Sequence, residues 1–334
     1  MRRRRTRTVA VAGAIALAAA VAPTGASAQS DWEVVASGLA SPRHLTLSPT
    51  GDLYVVEAGS GGTGPCVVHP DLGRFCLRFS GAVTRVRDHG ADERVVTGLP
   101  SIANPTEALG PSDIAFTGSK TFVLSIGLGG SDAFRTGFGA GGSLLSTLVT
   151  GRLDRDGVSL FADTMANEID ANPDGTDIDS NPVGILRQGS RYLVADDAGG
   201  NAVVRTSGRG SFDTIAVLPP GSALAPDFLG LPPGTMLPTD AVPTSIVRGR
   251  DGAFYVSQLT GFPFEPGDAN IRRVVPGRQP TIYASGLTNV TDLAFGRGRV
   301  AVRRRDRQRG SPQRADRLPG QDHPGRQRAR SHRR

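Results

Sequence analysis

The chain has 334 residues, with 38 Lys+Arg against 31 Asp+Glu and a formal charge of +7. That charge is segregated: residues 1–28 hold five Arg and no acid, residues 297–334 hold fourteen Arg and three Asp, and the body between them carries −9. An acidic body rich in Gly and Pro and poor in aromatics argues against a basic nucleic-acid-binding domain, and favours many turns and short strands over long helices.

The first segment reads as an address. Arg2, Arg3, Arg4, Arg5 and Arg7 precede an apolar run over residues 9–22, and Ala26-Ser27-Ala28 is a small-x-small cleavage site. The run is short for a bilayer span, so cleavage after Ala28 and export are expected, to a secreted or periplasmic location with no stable span afterwards. An uncleaved anchor is the alternative.

The body repeats. Ser41-Pro42-Arg43-His44-Leu45-Thr46-Leu47 is followed by a turn and then by Leu53-Tyr54-Val55-Val56-Glu57. The same unit returns at Gly110-Pro111-Ser112-Asp113-Ile114-Ala115-Phe116, at Asn181-Pro182-Val183-Gly184-Ile185-Leu186 and at Val242-Pro243-Thr244-Ser245-Ile246-Val247. It starts a fifth time at Thr288-Asn289-Val290-Thr291-Asp292-Leu293. Further β-branched runs bounded by Gly, Pro or Asp lie between these units. Four strands per repeat predict an all-β fold, a β-propeller of four-stranded blades with about five repeats, the last incomplete. Residues 32–39 resemble the last strand of a repeat and are expected to close the ring. A β-sandwich with coincidental turns is the rival architecture.

Cys66 and Cys76 are the only cysteines. In an exported chain their short separation favours one disulfide. A Cys/His metal site with His69 lacks a fourth ligand.

After Phe295 the pattern breaks: the turn and strand that should follow are replaced by an Arg-rich tract to Arg334. Gly298 to Arg303 back-translate as GGA CGG GTC GCT GTA CGT, and one nucleotide out of frame these letters encode Asp-Gly-Ser-Leu-Tyr-Val, the missing turn and strand. The expected organisation is a signal peptide over 1–28, a propeller over 29–296 and a disordered tail over 297–334 that reads as a frameshifted C-terminus. A genuine basic tail that binds polyanions is the alternative.

Several segments together carry a family resemblance: Gly62-Thr63-Gly64-Pro65-Cys66, Ile126-Gly127-Leu128-Gly129-Gly130, Asn172-Pro173-Asp174-Gly175, Ala195-Asp196-Asp197-Ala198-Gly199-Gly200-Asn201 and Ser257-Gln258-Leu259-Thr260-Gly261-Phe262-Pro263-Phe264. Over residues 31–296 the chain resembles the ScyD/ScyE family of secreted, NHL-repeat-like propellers. The resemblance implies a six-bladed family form and transfers no catalytic residues.

Propeller ligands sit at the mouth of the central channel, on loops held by rigid strands. Residues that end the second strand of a repeat or open the first are therefore the candidates for ligand or metal binding: Glu57, Asp113, Asn181, Asp196, Asp197, Asn201, Gln258 and Asp292, with His44, Ser125, Thr244, Ser257 and Asn289 beside them. The set is rich in oxygen and suits Ca²⁺ or another hard divalent cation. Many of these residues also suit a purely structural role in turns and strand ends. Residues 170–178 imitate the start of a calcium loop, but position twelve is Asn181, a Pro interrupts, and no flanking helices are evident, so a loop with Asx turns is expected. Gly127–Gly130 and Gly137–Gly142 read as flexible turns, with no Lys or helix start behind them. His89 reads as a solvated turn residue. No nucleophile elbow, His-x-His pair or HExxH occurs. Three functions stay open: a secreted propeller that binds a small molecule or extracellular partner at its mouth, a metal-dependent lactonase-type hydrolase, and the non-functional product of a frameshifted gene.

Overall fold

A computed structural model of the chain describes residues 33–87, 91–197, 200–208, 210–296 and 300–304, the last stretch as backbone. The expected signal segment with Ala28, His89 and the tail beyond residue 304 lie outside the described residues. The chain divides into Met1–Val34 and Val35–Arg334; the first unit is described only at Glu33 and Val34, which form no strand, and the rest concerns the second.

Each predicted repeat is an antiparallel sheet whose strands follow chain order. Blade A contains β1 (Pro42–Leu47), β2 (Leu53–Glu57), β4 (Gly73–Val86) and β5 (Glu93–Ala103), with the short β3 (Cys66–His69) paired to β4 and β6 (Ala108–Leu109) to β5. Blade B is β7 (Pro111–Phe116), β8 (Thr121–Ile126), β9 (Thr147–Arg152) and β10 (Val158–Asp163); it also carries α1 (Asp132–Thr136) and is followed by α2 (Thr164–Ala171). Blade C is β11 (Asn181–Gln188), β12 (Arg191–Asp197), β13 (Ala202–Thr206) and β14 (Phe212–Val217). A hairpin of β15 (Gly221–Leu224) and β16 (Met236–Thr239) leads to blade D: β17 (Pro243–Arg248), β18 (Phe254–Gln258), β19 (Ala269–Val274) and β20 (Thr281–Leu287). Blade E has two strands among the described residues, β21 (Val290–Phe295) and β22 (Val300–Arg304).

The first strands of successive blades pack on one another, β1 on β7, β7 on β11, β11 on β17 and β17 on β21. The second strands are buried on both faces, and alternate residues point to alternate neighbours. On β8, Phe122, Leu124 and Ile126 join the A–B core, while Val123 joins the B–C core. On β12, Tyr192 and Val194 face blade B, while Leu193 and Ala195 face blade D. On β18, Phe254 and Val256 face blade C, while Tyr255 faces blade E. Four-stranded meanders stacked radially, with a core in each space between them, make a β-propeller.

All five inner strands break register at the same place, after Pro42, Pro111, Pro182, Pro243 and Val290. A bulge turns the side chain that follows it, and here it produces a chain of contacts from blade to blade. His44 Nδ1 lies 3.1 Å from the Ser112 carbonyl. Asp113 Oδ2 accepts the Ile185 N–H at 2.9 Å. A Cβ on Gly184 would stand 2.9 Å from Ser245 Cα, so only glycine lets these two backbones meet. Ser245 donates to Asp292 Oδ1 at 2.9 Å, and Asp292 Oδ1 lies 3.8 Å from His44 Nε2.

The return from blade E to blade A differs from the other junctions. Leu45, Ile114, Ile185, Ile246 and Leu293 occupy one position of the repeat. Four of them are buried against the preceding blade, at 2%, 6%, 4% and 4% exposure, whereas Leu45 is 47% exposed. The expected closing strand is also absent: residues 35–40 form no strand. A closing strand would need a third strand in the last blade to pair with, and blade E has two among the described residues.

Cys66 and Cys76 face each other across the β3–β4 pair and are bonded, with Cα atoms 4.0 Å apart. No helix among the described residues is long and apolar enough to cross a membrane.

Candidate functional site

The eight candidate residues separate into three settings. Glu57, at the end of β2, is fully buried and saturated with donors. Arg94 reaches it through Nε at 3.0 Å and Nη2 at 2.8 Å, and the Thr84 hydroxyl and the Ala40 N–H complete the set. Burial alone would raise its pKa, but the Arg94, Ala40 and Thr84 bonds outweigh that and hold the carboxyl below its ordinary value. Gln258 is bound in a similar way: Oε1 accepts Arg272 Nε at 3.0 Å and Nε2 donates to the Ala241 carbonyl at 3.2 Å.

Asp113 and Asp292 belong to the axial chain of contacts with His44. Burial raises the Asp113 pKa, and His44 opposes the shift.

The remaining four come together at one end of blade C, where β11 begins, β12 ends and β13 begins. Asn181 opens β11, its Nδ2 donating to Asp197 Oδ1 and its Oδ1 accepting the Leu128 N–H at 3.0 Å. Asp196 ends β12 beside Asp197 and accepts the Asn181 N–H at 2.7 Å and the Ser180 hydroxyl at 2.8 Å. Asn201, just before β13, donates to Asp174 Oδ2 at 3.0 Å and accepts the Val242 N–H at 3.0 Å. Burial drives the carboxyl pKa values up here, Asp196 to about 7 and Asp197 well above the ordinary range, against the hydrogen bonds from Ser180 and Asn181. No Lys or Arg bonds to Asp196 or Asp197 among the described residues.

Sequence reasoning read Asp174 as part of an Asx-turn loop and did not join it to this group; it missed Asp179 in the same loop, Asp240 in the segment before β17, and Glu168 in α2. Glu168 is buried, and burial together with the Asp196, Asp174 and Asp179 charges pushes its pKa up to about 8. The loop has its expected Asx turns, Gly175 N–H to Asn172 Oδ1 at 3.0 Å and Thr176 N–H to Asp174 Oδ1 at 3.0 Å. A helix does precede it, contrary to expectation, but the strand β11 follows, so the segment is not a helix–loop–helix site. A short helix also follows the first glycine run: Ser131 caps α1 by accepting the Phe134 N–H. Glu57 shares no bonding partner with Asp196 or Asp197. Among the described residues no three His, Cys, Asp or Glu side chains already stand close enough to hold a metal ion.

No family model matches the chain, and no curated protein matches it. Similar solved structures are β-propeller proteins. A virginiamycin B lyase from Staphylococcus aureus is 12% identical, with TM-score 0.42 over 78% of this chain and 62% of its own, so this chain spans less than two thirds of that lyase. A gluconolactonase from Xanthomonas campestris is 12% identical, with TM-score 0.46 over 81% of this chain and 71% of its own. A PQQ-bound aldose sugar dehydrogenase from Streptomyces coelicolor is 16% identical, with TM-score 0.45 over 85% and 94%. Likeness at this level decides nothing about activity, and the propeller rests on the strand order and interblade cores described above.

Proposed function

We propose that the chain is an exported, NHL-like propeller of the ScyD/ScyE type that binds a small molecule or extracellular partner at the mouth of blade C. The observation that carries this reading is the gathering of Asn181, Asp196, Asp197 and Asn201 at one end of blade C, where acceptors stand with no Arg or Lys among the described residues bonded to the two blade-end carboxyls. Acceptors in excess favour a donor-rich ligand, such as a polyhydroxylated or amine-bearing compound. Calorimetry with a panel of polyols and amines tests it. Binding that weakens about tenfold or more in Asp197→Asn and Asn201→Ala is the expected result. A panel without a binder, or binding indifferent to both substitutions, would overturn the reading.

The lactonase-type alternative has a metal held by Glu57 with Asp196 or Asp197 activating water. It would need Glu57 to give up Arg94, and lactone hydrolysis that survives Glu57→Ala with Asp197→Ala would reject that site. The exposed Leu45 supports the other alternative, a chain shortened by a shifted reading frame. Sequencing the gene across codons 290–335 tests it: another frame that continues into a further blade supports the shift, and its absence leaves the basic tail as genuine.

A further inference from the structure

The strongest unexplained group in the molecule is Glu168. α2 begins at a side-chain cap, Asp163 Oδ1 accepting the Ala166 N–H at 3.0 Å, and it buries Thr164, Met165 and Glu168 on one face. An amphipathic helix normally places an apolar residue at such a position. Glu168 is instead 1% exposed, and its Oε1 accepts no hydrogen bond. The charged groups that act on it are Asp196, Asp174 and Asp179, with no cation among them.

Hydroxyls link these carboxylates. Ser180 Oγ lies 2.9 Å from Thr164 Oγ1, one helical turn before Glu168, and 2.8 Å from Asp196 Oδ2. Thr164 in turn donates to the Ser146 carbonyl at 2.8 Å. The donors are all oxygen, and most of them are buried. Asp196 has the Ser180 hydroxyl and the Asn181 N–H as donors, whereas Glu168 Oε1 is held out of water with none, a costly arrangement for a carboxylate. A hard divalent cation is the ligand such a set suits, because Ca²⁺ accepts six to eight mixed carboxylate, hydroxyl and carbonyl oxygens.

We infer that Glu168 and Asp196, joined by Asp174 and Asp179 from the loop between them, form a Ca²⁺-class cation site that ties α2, at the end of blade B, to blade C. The ion completes the site by drawing the loop carboxylates onto the two buried ones, since no three of them stand at ion-holding separation beforehand. Asp174 can serve while it keeps its Thr176 and Asn201 bonds, because a carboxylate has about four acceptor positions. The inference rests on the proposed mouth only through Asp196.

Ca²⁺ alone is the probe, titrated calorimetrically into chelator-stripped full-length protein at about pH 9, above the value of about 8 to which Glu168 is pushed. The thermal midpoint is recorded in parallel with Ca²⁺ and with EDTA. One bound equivalent and a midpoint raised by Ca²⁺ are expected. Glu168→Gln should bind at least about tenfold more weakly, while its midpoint in EDTA equals or exceeds that of the parent, because the substitution removes an uncompensated buried charge. Should that variant fail to fold, Asp174→Asn on the half-buried loop should show the same loss of binding. No binding heat and no midpoint shift in the parent would overturn the inference and leave Glu168 as a carboxyl that holds a proton. Ca²⁺ affinity unchanged in both variants would overturn it as well. Failure of the mouth to bind any polyol or amine would leave the Ca²⁺ result standing, so the two readings fail separately.

Discussion

Glu57 and Asp196 hold equivalent places, opposite Pro42 and Pro182, yet they meet opposite fates. Each lies at the end of a second strand and each is buried. Glu57 finds a guanidinium, a hydroxyl and a backbone N–H; Asp196 finds a hydroxyl and a backbone N–H with no described guanidinium. The first is therefore a structural anion. Its folded pKa lies below the ordinary 4.5, so its contribution to stability is fully present above that value and is lost as pH falls through the lower, folded one. Glu57→Gln should cost about 1–3 kcal/mol in urea unfolding at neutral pH. The variant should also lose less stability than the parent on acidification, and parallel acid profiles would count against this account. Which blade-end acid would be which was not legible in the sequence. The deciding residue, Arg94, lies 37 positions away from Glu57 on a strand whose register no local pattern reveals. Glu168 was hidden for the opposite reason. It sits in a helix of eight residues, too short to show a periodicity, and a Glu on its buried face masks the apolar stripe that would have announced it.

Blades were far easier to read than their sites. The inner strands share a Pro, or Val in the last, followed two residues later by a small or polar residue and then by a branched apolar one. That pattern survives because each position does one fixed job, in the bulge, in the axial contact or in the interblade core. The appended elements have no such repeat to betray them. β3 pairs with β4 across the disulfide, and the β15–β16 hairpin interrupts the path from blade C to blade D. The closing strand expected at residues 32–39 fails at this scale, since a strand needs an edge to join. The branched apolar position also gives a contrast to measure. Ile246→Ala, within the C–D core, should cost about 2–5 kcal/mol, and Leu45→Ala under about 1 kcal/mol, because the loss tracks buried contact. Equal losses in chemical denaturation would mean that the E–A junction is packed in solution.

At the scale of the whole molecule, four complete blades and, among the described residues, two strands of a fifth leave β1 with an unpacked flank. Leu45 and Leu47 are exposed there, on β1, where a closed ring would cover them. Exposed apolar surface beside an unpaired sheet edge promotes association between chains. The chain as it stands should therefore show a concentration-dependent oligomer in analytical ultracentrifugation. A version continued in the shifted frame should sediment as a monomer with a higher thermal midpoint. A parent chain already monomeric at high concentration would argue that the flank is protected by means other than a further blade.

The run of axial contacts also sets how the molecule would come apart under load. From β1 to β21 every junction is crossed by continuous backbone and by packed inner strands. From β21 back to β1 the described approach is an imidazole and a carboxylate, 3.8 Å apart. Stretched between its ends, the protein would part there first, like a split washer. Its blades would then peel away one after another from either end, each losing the core it shares with its neighbour.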